Sequence, residues 1–294
     1  MKLTIITPTF NRLKTLKRLY QSLINQSNHN FQWLVVDDGS TDSTSVFFNQ
    51  LISKKSKFSI KYIYKSNGGK ASAINTAMSH IEGDIVTIVD SDDYLLPNAV
   101  DEILIFWKKY YPDSNIGGIT FQKGLTSNKG LDMSIVGEEI STLQYKLNHG
   151  YQGDHFETVR TDLMRQFKFP LFKNEKFIGE AAMWYLITKN YKTVYVDKVL
   201  YIYEYLDGGL SKSGRRLRIE NPYGGRWHAQ VFMNKGFNFK IRLKNTILYD
   251  IYTYFIRQKY GYVVQNLNSG KALTKICLVP SFLLYKLWSK KYEK

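Results

Sequence analysis

Cysteine and long apolar runs are the features that this chain of 294 residues lacks most clearly. The single cysteine, Cys277, excludes an intramolecular disulfide and a zinc site built from cysteine ligands. The best apolar stretch, 276–285, reaches about half of the roughly 18 residues that a membrane-spanning helix needs, and it contains Pro280. The first residues show no small-residue cleavage site of a secretory signal. We therefore expect a cytoplasmic protein, or one held peripherally on the inner face of the cell membrane.

Acidic residues are also in short supply, because 25 Asp and Glu stand against 41 Lys and Arg, for a formal net charge of +16. The excess lies at the end of the chain: residues 207–294 contain 17 basic and 4 acidic side chains, against 24 and 21 in residues 1–206. This asymmetry predicts an anionic partner for the basic tail. A hydrophobic content of 44% is enough to fill a large core and excludes a disordered chain.

Short β-branched or aromatic runs alternate with helical patterns over the first 120 residues. The predicted strands are 3–7, 31–36, 60–64 and 84–89, and apolar residues at helical spacing lie between them. This order predicts βαβ units and a mostly parallel, Rossmann-like sheet flanked by helices, which is an α/β fold. Further along, the patterns predict helices over 97–111 and 177–190, strands over 116–121 and 193–205, and irregular surface over 123–154.

Polar residues follow each of the first four predicted strands. They form the segments 7–12, 37–42, 67–70 and 90–93. Ligands bind at the carboxyl ends of strands in such sheets, so we expect the four segments to meet at one edge. Asp, Ser and Gly are also ordinary turn residues, and for any single segment that explanation is about equally good. Four segments in register, with five carboxylates among them, favour a ligand site.

Three carboxylates crowd into the four residues Asp90, Ser91, Asp92 and Asp93. Like charges at this spacing repel one another, and a divalent cation removes the penalty. Oxygen ligands without cysteine or clustered histidine indicate Mg²⁺ or Mn²⁺ rather than zinc. Mg²⁺ completes its shell with phosphate oxygens, so a nucleoside diphosphate is the natural co-ligand. The competing interpretation is that Asp93 only caps the helix that begins near Pro97.

Two common nucleotide-binding motifs are missing. Gly68-Gly69-Lys70 lacks the spacing of a Walker loop, and no Gly-x-Gly-x-x-Gly follows the first strand, which disfavours NTPases and dinucleotide-dependent dehydrogenases. Lys70, at the start of a predicted helix, is still able to contact a diphosphate as a point charge.

The motifs after three strands resemble, in order and spacing, those of the family-2 glycosyltransferases of the GT-A fold, in particular the bacterial surface-polysaccharide type. They are Thr-Pro-Thr-Phe-Asn-Arg at 7–12, Val-Val-Asp-Asp-Gly-Ser-Thr-Asp at 35–42 and Asp-Ser-Asp-Asp at 90–93. The resemblance covers 3–100 and continues more weakly to about 211. It implies a GT-A-like catalytic domain over 1–206, with a nucleotide-binding half at 1–100 and an acceptor half at 101–206. The basic extension at 207–294 is predicted to be mainly helical.

The resemblance also implies roles for individual residues. Asp92 corresponds to the metal ligand of the family's Asp-X-Asp motif, with Mn²⁺ or Mg²⁺ as cofactor. The family's catalytic base lies in a Glu-Asp pair, and this chain has Glu180-Ala181, so we assign the base to Glu180 and keep Asp154 and Asp162 as alternatives. The residues expected to bind the nucleotide-sugar are Thr7, Pro8, Thr9, Asn11, Arg12, Asp38, Lys70, Asn75, Asp90 and Ser91.

These assignments imply an inverting, metal-dependent transferase. It is expected to move a sugar from a nucleoside-diphosphate donor, with UDP as the predicted nucleotide, to a hydroxyl of a carbohydrate or lipid-linked saccharide in cell-surface polysaccharide synthesis. A second hypothesis is a nucleic-acid-binding protein that uses the basic tail, but no recognisable module supports it, so no nucleic acid is expected as a partner. A third is a catalytically degenerate nucleotide-sugar-binding module.

Basic and apolar residues alternate in the tail. Leu283, Leu284 and Leu287 lie near Lys286, Lys290 and Lys291. This composition suits an interface on anionic lipid, and the alternative is a solvated basic face packed on the catalytic domain.

Overall fold

The computed structural model describes residues 1–126, 129–130, 135–151, 154–203, 210–261 and 271–292. The chain divides into two compact units. Unit 1 comprises 1–169 and 184–206, and unit 2 comprises 170–183 and 207–294. The division after 206 coincides with the end of the predicted catalytic domain, but the segment 170–183 belongs to unit 2. The assignment of a nucleotide-binding and an acceptor half stays a prediction.

Unit 1 is an α/β unit, as the alternating pattern predicts. Within the described residues its strands are β1 (Leu3–Thr9), β2 (Phe31–Asp37), β3 (Ser59–Tyr64), β4 (Ile85–Ile88), β5 (Tyr94–Leu95), β6 (Ile116–Thr126), β7 (Lys129–Gly130), β8 (Glu138–Ser141), β9 (His155–Arg160) and β10 (Lys192–Ile202). The helices between them are α1 (Leu13–Ile24), α2 (Thr44–Ile52), α3 (Lys70–Ala77), α4 (Ala99–Tyr110), α5 (Leu143–Asn148), α6 (Thr161–Gln166) and α7 (Ala181–Thr188), and a short 3₁₀ turn covers Met78–His80. The first three residues of α7 belong to unit 2.

The sheet is mixed rather than mostly parallel. Its strand order is β3-β2-β1-β4-β9-β6-β10-β5, with β7 beside β6 and β8 beside β10. β1 runs parallel to β2 and β4, β2 to β3, and β6 to β10. β9 is inserted antiparallel between β4 and β6. The prediction therefore holds for the first four strands, and it misses β9 because a strand that contains Glu157 and Arg160 has little of the apolar character used to recognise strands.

The core of unit 1 explains the near-continuous apolar strands. Every residue of β1 and β2 is buried, as expected for strands covered on both faces. α1 buries Leu16, Leu19 and Leu23, which follow the helical period. On the other part of the sheet, the indole nitrogen of Trp107 donates to Thr158 Oγ1 at 2.7 Å, so this large side chain is buried with its polar atom satisfied.

Two segments differ from the sequence prediction. The described part of 123–154 is not simply irregular, because β6 extends to Thr126 and β8 and α5 follow. The helix predicted over 177–190 begins only at Ala181. The predicted strand 193–205 corresponds to β10, and residues 204–205 lie outside the described residues.

In the described part of unit 2 there are four further helices: α8 (Leu210–Glu220), α9 (Pro222–Val231), α10 (Phe239–Tyr260) and α11 (Lys271–Tyr292). This confirms the mainly helical extension. A cluster around Ile219, Ile251 and Phe255 forms part of its core. None of the helices in the described ranges is both long enough and apolar enough to cross a membrane.

The segment 170–183 belongs to unit 2 because its polar groups pair with α9. The carboxylate of Glu175 accepts from the backbone N–H groups of Tyr223 and Gly224, each at 2.9 Å. Asn221 Oδ1 accepts from the N–H of Lys176 at 2.8 Å. A carboxylate at a helix N-terminus satisfies donors that the helix itself leaves unpaired. Sequence order alone gave no sign of this pairing.

Candidate active site

The four polar segments of the sequence do meet at one edge of the sheet. The parallel registers pair Thr9 with Asp37 and Asp37 with Tyr64. β4 is aligned with β1 through the pair Ile6 and Ile88. The segments that follow these four strands therefore leave the sheet side by side.

Asn11 connects the first segment to the second. Its side-chain oxygen accepts from the backbone N–H of Thr41 at 2.7 Å, and its own N–H donates to Ser40 Oγ at 2.9 Å. In return, Asp42 accepts from the N–H of Leu13 at 3.2 Å. The φ of Asn11 is +51°, in the left-handed region that asparagine tolerates better than most residues. Asn11 thus holds the backbone of the second polar segment in place relative to the first.

Asp38 connects the second segment to the third. Its carboxylate accepts from the backbone N–H groups of Gly68, at 2.9 Å, and Gly69, at 2.6 Å, and from the ammonium of Lys65 at 2.7 Å. Gly69 has φ +87°, a conformation that side chains disfavour, and it immediately precedes α3. Asp38 therefore fixes the turn from which Lys70 begins the helix.

Lys70 and Arg12 carry positive charge to the fourth segment. The ammonium of Lys70 lies 2.5 Å from Asp90 Oδ1. Carboxylate oxygens of Asp90, Asp92 and Asp93 all lie within 4.8 Å of one another. Ser91, between the first two, is buried in the same turn. The four segments thus form one connected polar edge with three carboxylates at its end.

The electrostatics of this cluster differ between its members. Burial would raise the pKa of Asp90, but the positive charges of Lys70 and Lys123 outweigh it and hold the pKa below its usual range. Burial, together with the charge of Asp90, raises the pKa of Asp92, and Arg12 offsets this only in part. Nearby positive charge therefore does not fully compensate the negative charge of Asp92.

The residues present fit a hard divalent cation. Three converging carboxylates offer oxygen ligands, and neither imidazole nor thiolate belongs to this cluster in the part of the chain that the structure describes. Oxygen-only ligand sets suit Mg²⁺ and Mn²⁺. The raised pKa of Asp92 indicates that an added cation would relieve repulsion there.

Two residues that the sequence prediction missed, Tyr201 and Arg18, form hydrogen bonds with the segment that carries the three carboxylates. The hydroxyl of Tyr201, on β10, donates to Asp93 Oδ2 at 2.6 Å and accepts from the N–H of Asp90 at 3.2 Å. The guanidinium of Arg18 donates to the backbone carbonyl of Asp92. Asp93 is thus tied to the sheet rather than acting as a simple helix cap. Lys65, which pairs with Asp38, was also missed, although its position just before Asn67-Gly68-Gly69 was a signal in the sequence. No sequence pattern indicated a role for Tyr201.

Three predicted nucleotide-binding residues have structural partners. Thr7 is buried, and its hydroxyl accepts from the indole N–H of Trp33 at 3.0 Å, so packing explains it better than ligand binding. Asn75 exchanges two hydrogen bonds, at 2.9 and 2.8 Å, with the backbone of Phe169. Pro8 is buried in β1. By contrast, the buried Thr9 hydroxyl has no hydrogen-bond partner in the described part of the chain.

The candidate bases lie in different places. Glu180 belongs to unit 2 and immediately precedes α7, where its carbonyl accepts from the N–H of Met183 at 2.8 Å. Asp162 is placed wrongly for a base, because the register pairs Ile85 with Arg160 and so sets Asp162 at the opposite edge from Asp90 and its neighbours. Asp154 is exposed and precedes β9 at the correct edge. Glu180 as the base stays a prediction.

The fold is that of the GT-A-like α/β proteins. The structure is similar to that of Staphylococcus aureus TarS 1–349 in complex with UDP-GlcNAc, with a TM-score of 0.62 and 19% identity over 97% of this chain and 80% of that one. It is also similar to the mannosyltransferase PcManGT from Pyrobaculum calidifontis in complex with GDP-Man and Mn²⁺, with a TM-score of 0.56 and 17% identity over 99% and 84%. At these identities the similarity establishes the fold.

The model of Glycosyl transferase family 2 matches residues 4–172, and the chain belongs to this family. It is 30% identical over 209 residues to GalNAc(5)-diNAcBac-PP-undecaprenol beta-1,3-glucosyltransferase of Campylobacter jejuni, covering 69% of this chain and 64% of that relative. It is 27% identical over 227 residues to glycosyltransferase GlyA of Streptococcus pneumoniae, covering 72% of this chain and 32% of GlyA. The chain thus spans less than two thirds of the length of either relative.

Proposed function

We propose that this protein is an inverting, metal-dependent glycosyltransferase that moves a sugar from a UDP-sugar to an acceptor hydroxyl. The observation that carries the proposal is the polar edge of unit 1, where Lys70 and the carboxylates of Asp90, Asp92 and Asp93 converge. A diphosphate needs both a divalent cation and direct positive charge, and this edge offers carboxylates for the first and Lys70 and Arg12 for the second. Family membership supports the same reaction class.

Asp92 is the proposed metal ligand, with Asp90 in the same shell. A bound Mn²⁺ or Mg²⁺ would supply charge that stabilises the departing diphosphate. Thr9, with its buried hydroxyl, and the loop shaped by Asn11 and Asp38 are proposed to hold the nucleoside. Rigid backbone hydrogen bonds at this edge would keep the donor oriented, which is where much of the rate enhancement in such reactions arises.

Glu180 is the proposed base. In a direct displacement, the acceptor oxygen forms a bond to the anomeric carbon while the bond from that carbon to the diphosphate oxygen breaks. Inversion follows because the acceptor attacks from the side opposite the diphosphate. The proton of the acceptor hydroxyl passes to the carboxylate of Glu180, and the diphosphate leaves with the electron pair.

The proposed acceptor is a lipid-linked saccharide of cell-surface polysaccharide synthesis. The Campylobacter jejuni relative is named for an undecaprenol-linked acceptor, and the similarity to it covers 69% of this chain. We place the protein in the cytoplasm, at the inner face of the membrane that would present such an acceptor. The excess of positive charge in residues 207–294 supports this placement.

A thermal-shift panel tests the donor site. Purified protein is heated with UDP, GDP, ADP or CDP, each with Mn²⁺ or with EDTA. A nucleotide at a hundredfold excess over its Kd stabilises by about 2.7 kcal/mol, so UDP with Mn²⁺ should give the largest rise in Tm and EDTA should remove it. Lys70→Gln should reduce the shift, and Lys57→Gln, an exposed lysine of unit 1, should keep it.

Turnover separates an enzyme from a degenerate binding module. Release of UDP from a panel of UDP-sugars, measured with and without a saccharide acceptor, should depend on Mn²⁺ and on the acceptor. Tight UDP binding without any turnover would indicate the degenerate module and refute the proposed activity. Equal shifts with all nucleotides, insensitive to EDTA, would refute the metal-dependent donor site.

A further inference from the structure

Helix α11 packs one face inside unit 2 and leaves the other exposed. Cys277 and Ser281 are buried, and Leu284, Tyr285 and Trp288 pack against the cluster of Ile219, Ile251 and Phe255. Leu284 therefore faces α10, unlike Leu283 and Leu287. The inward face is therefore fully used in holding the helix to α10.

The outward face carries large apolar side chains. Ile276 is 74% exposed, Val279 70%, Leu283 59% and Leu287 63%. They follow one another at intervals of three, four and four residues, so they lie in one line along the helix, which we call the α11 stripe. Phe282 and Leu278, 43% and 44% exposed, lie beside it. An apolar surface of this extent on a helix that is already packed on its other side marks an interaction surface.

Lysines flank the α11 stripe and no acidic residue accompanies them. Lys275, Lys286, Lys290 and Lys291 are exposed, and residues 271–292 contain neither Asp nor Glu. The ammonium of Lys286 lies 5.5 Å from the ring centre of Phe282, within the range of a cation–π contact. Lysine stems in this position bury methylene groups while the ammonium stays in water or meets an anion.

We propose that the α11 stripe docks onto an anionic lipid bilayer, with the helix in the plane of the interface and the lysines at the lipid phosphates. The partner must offer both an apolar layer and negative charge next to it, and an anionic bilayer offers both over the whole 22-residue length of α11. A second copy of this chain would bring the same row of lysines against the first, so like charges would oppose that contact. The inference rests on the proposed function in naming the surface at which a lipid-linked acceptor would be met.

Vesicle binding tests the α11 stripe directly. Full-length protein is sedimented with vesicles of phosphatidylcholine alone, or with phosphatidylglycerol added, at low and high salt. Binding is expected only to the anionic vesicles and should weaken with salt, because surface charges are screened. Val279→Ser with Leu283→Ser removes apolar contact without changing charge, and Lys286→Gln with Lys290→Gln removes charge without changing the stripe.

Each double variant has a matched control in unit 1. Val46→Ser with Ile105→Ser alters two apolar residues of similar exposure, and Lys54→Gln with Lys55→Gln removes two exposed charges. Each α11 double variant should lower the partition coefficient about tenfold or more, given the transfer free energies of such groups, and the controls should not. The Tm of each variant is measured in parallel, and Val279→Gln with Leu283→Gln, which adds no charge and favours the helix, gives a second reading of the apolar contribution if the serine variant unfolds.

The outcomes separate the possibilities. No binding of the wild type to anionic vesicles at low salt overturns the proposal, as does an equal loss in the α11 variants and their controls. Self-association that the serine variant abolishes, without vesicle binding, assigns the α11 stripe to a dimer instead and also overturns it. Vesicle binding is measured without donor, so a failure of the UDP and Mn²⁺ tests leaves its result interpretable, and the reverse holds as well.

Discussion

Unit 1 groups three carboxylates in one turn, whereas the two buried carboxylates in the described part of unit 2 stand apart. Asp90, Asp92 and Asp93 bring their oxygens within 4.8 Å of one another at the end of β4. In unit 2, Glu175 is held by two N–H groups of α9, and Asp250 lies within α10 with Ser281 as its hydrogen-bond donor at 3.3 Å. Grouped carboxylates need a cation, and separate ones need only donors or a proton. We therefore expect the grouped carboxylates of unit 1 to bind a ligand, whereas Glu175 and Asp250 take part in the packing of unit 2, as the buried Asp38 does in unit 1.

Removing one charge from the grouped carboxylates should have the largest effect. Asp92→Asn is expected to lower Mn²⁺-dependent turnover by about 10³ or more, since a metal contributes several kcal/mol to stabilising the leaving group. The Tm should stay the same or rise, because burial and Asp90 already raise the pKa of Asp92 and oppose its charge. UDP release and thermal melts measure the two quantities.

Asp162→Asn is the matched control for Asp92→Asn, since it removes the same charge at the opposite edge of the sheet. It should leave turnover unchanged. If Asp92→Asn kept full Mn²⁺-dependent turnover, the grouped carboxylates would have no role in catalysis. The proposed functional difference between the carboxylates of the two units would then be wrong.

The next largest effect is expected in unit 2, at Glu180. Glu180→Gln should keep UDP binding and lower turnover by about 10² or more, the usual range for loss of a general base. Glu175→Gln, five residues earlier, should instead lower the Tm and leave the turnover of the folded protein near normal, because the amide replaces only one of the two acceptor oxygens at α9. Full activity of Glu180→Gln would move the role of base to Asp154.

A smaller effect is expected from replacing Tyr201, whose hydroxyl forms hydrogen bonds with Asp93 and Asp90. Tyr201→Phe removes the hydroxyl that holds Asp93 and the N–H of Asp90. Loss of such a supporting group typically costs about 10- to 100-fold in metal affinity, so the Kd for Mn²⁺, followed by electron paramagnetic resonance, should rise about tenfold or more. Tyr195→Phe, on the same strand and equally buried, is the control and should leave that Kd unchanged. Equal affinities in the two variants would contradict a supporting role for Tyr201.

The remaining effect concerns stability rather than activity, and it lies in unit 2. Burial raises the pKa of Asp250 to about 6, above the value of about 3.9 expected in the unfolded chain. Between these values Asp250 holds a proton in the folded protein that it has lost in the unfolded chain, so its contribution to stability falls as the pH rises from about 4 to 6. Asp250→Asn should remove this loss and raise the free energy of unfolding at pH 7.5 by about 2 kcal/mol, measured by urea denaturation.

His228 has the opposite pH dependence in the same unit. Burial lowers its pKa to about 4, so its contribution to stability is lost as the pH falls from about 6.5 toward 4. In the Asp250→Asn variant, the loss of stability at low pH that His228 causes should remain. It should be larger than in the wild type, because Asp250 no longer adds stability as the pH falls. If the variant and the wild type showed the same dependence of stability on pH between 4 and 6, Asp250 would not be the responsible group.

The strand pattern alone predicts that the polar segments of unit 1 meet at one edge of the sheet, and the structure confirms this convergence. Parallel strands separated by helices bring their carboxyl ends to one edge, so the segments after β1 to β4 had to meet, and the three carboxylates in 90–93 had to repel one another there. The convergence of the segments that carry Asp38, Lys70 and Asp92 could be predicted for this reason, and their roles in binding stay predictions. The position of the alternative base Asp162 could not be predicted, because the sequence pattern does not reveal that β9 runs antiparallel.

Contacts between residues that are distant in the sequence could not be predicted from local patterns and follow from tertiary packing. Tyr201 reaches Asp93 across 108 residues of sequence, and Glu175 joins unit 2 only because α9 offers it two N–H groups. On α11, Leu283 faces outward and Leu284 inward although they are neighbours, since each residue turns the helix by about 100° and only one side meets α10. Local composition fixes which side chains a segment carries, but packing fixes which of them remain for a ligand or a partner.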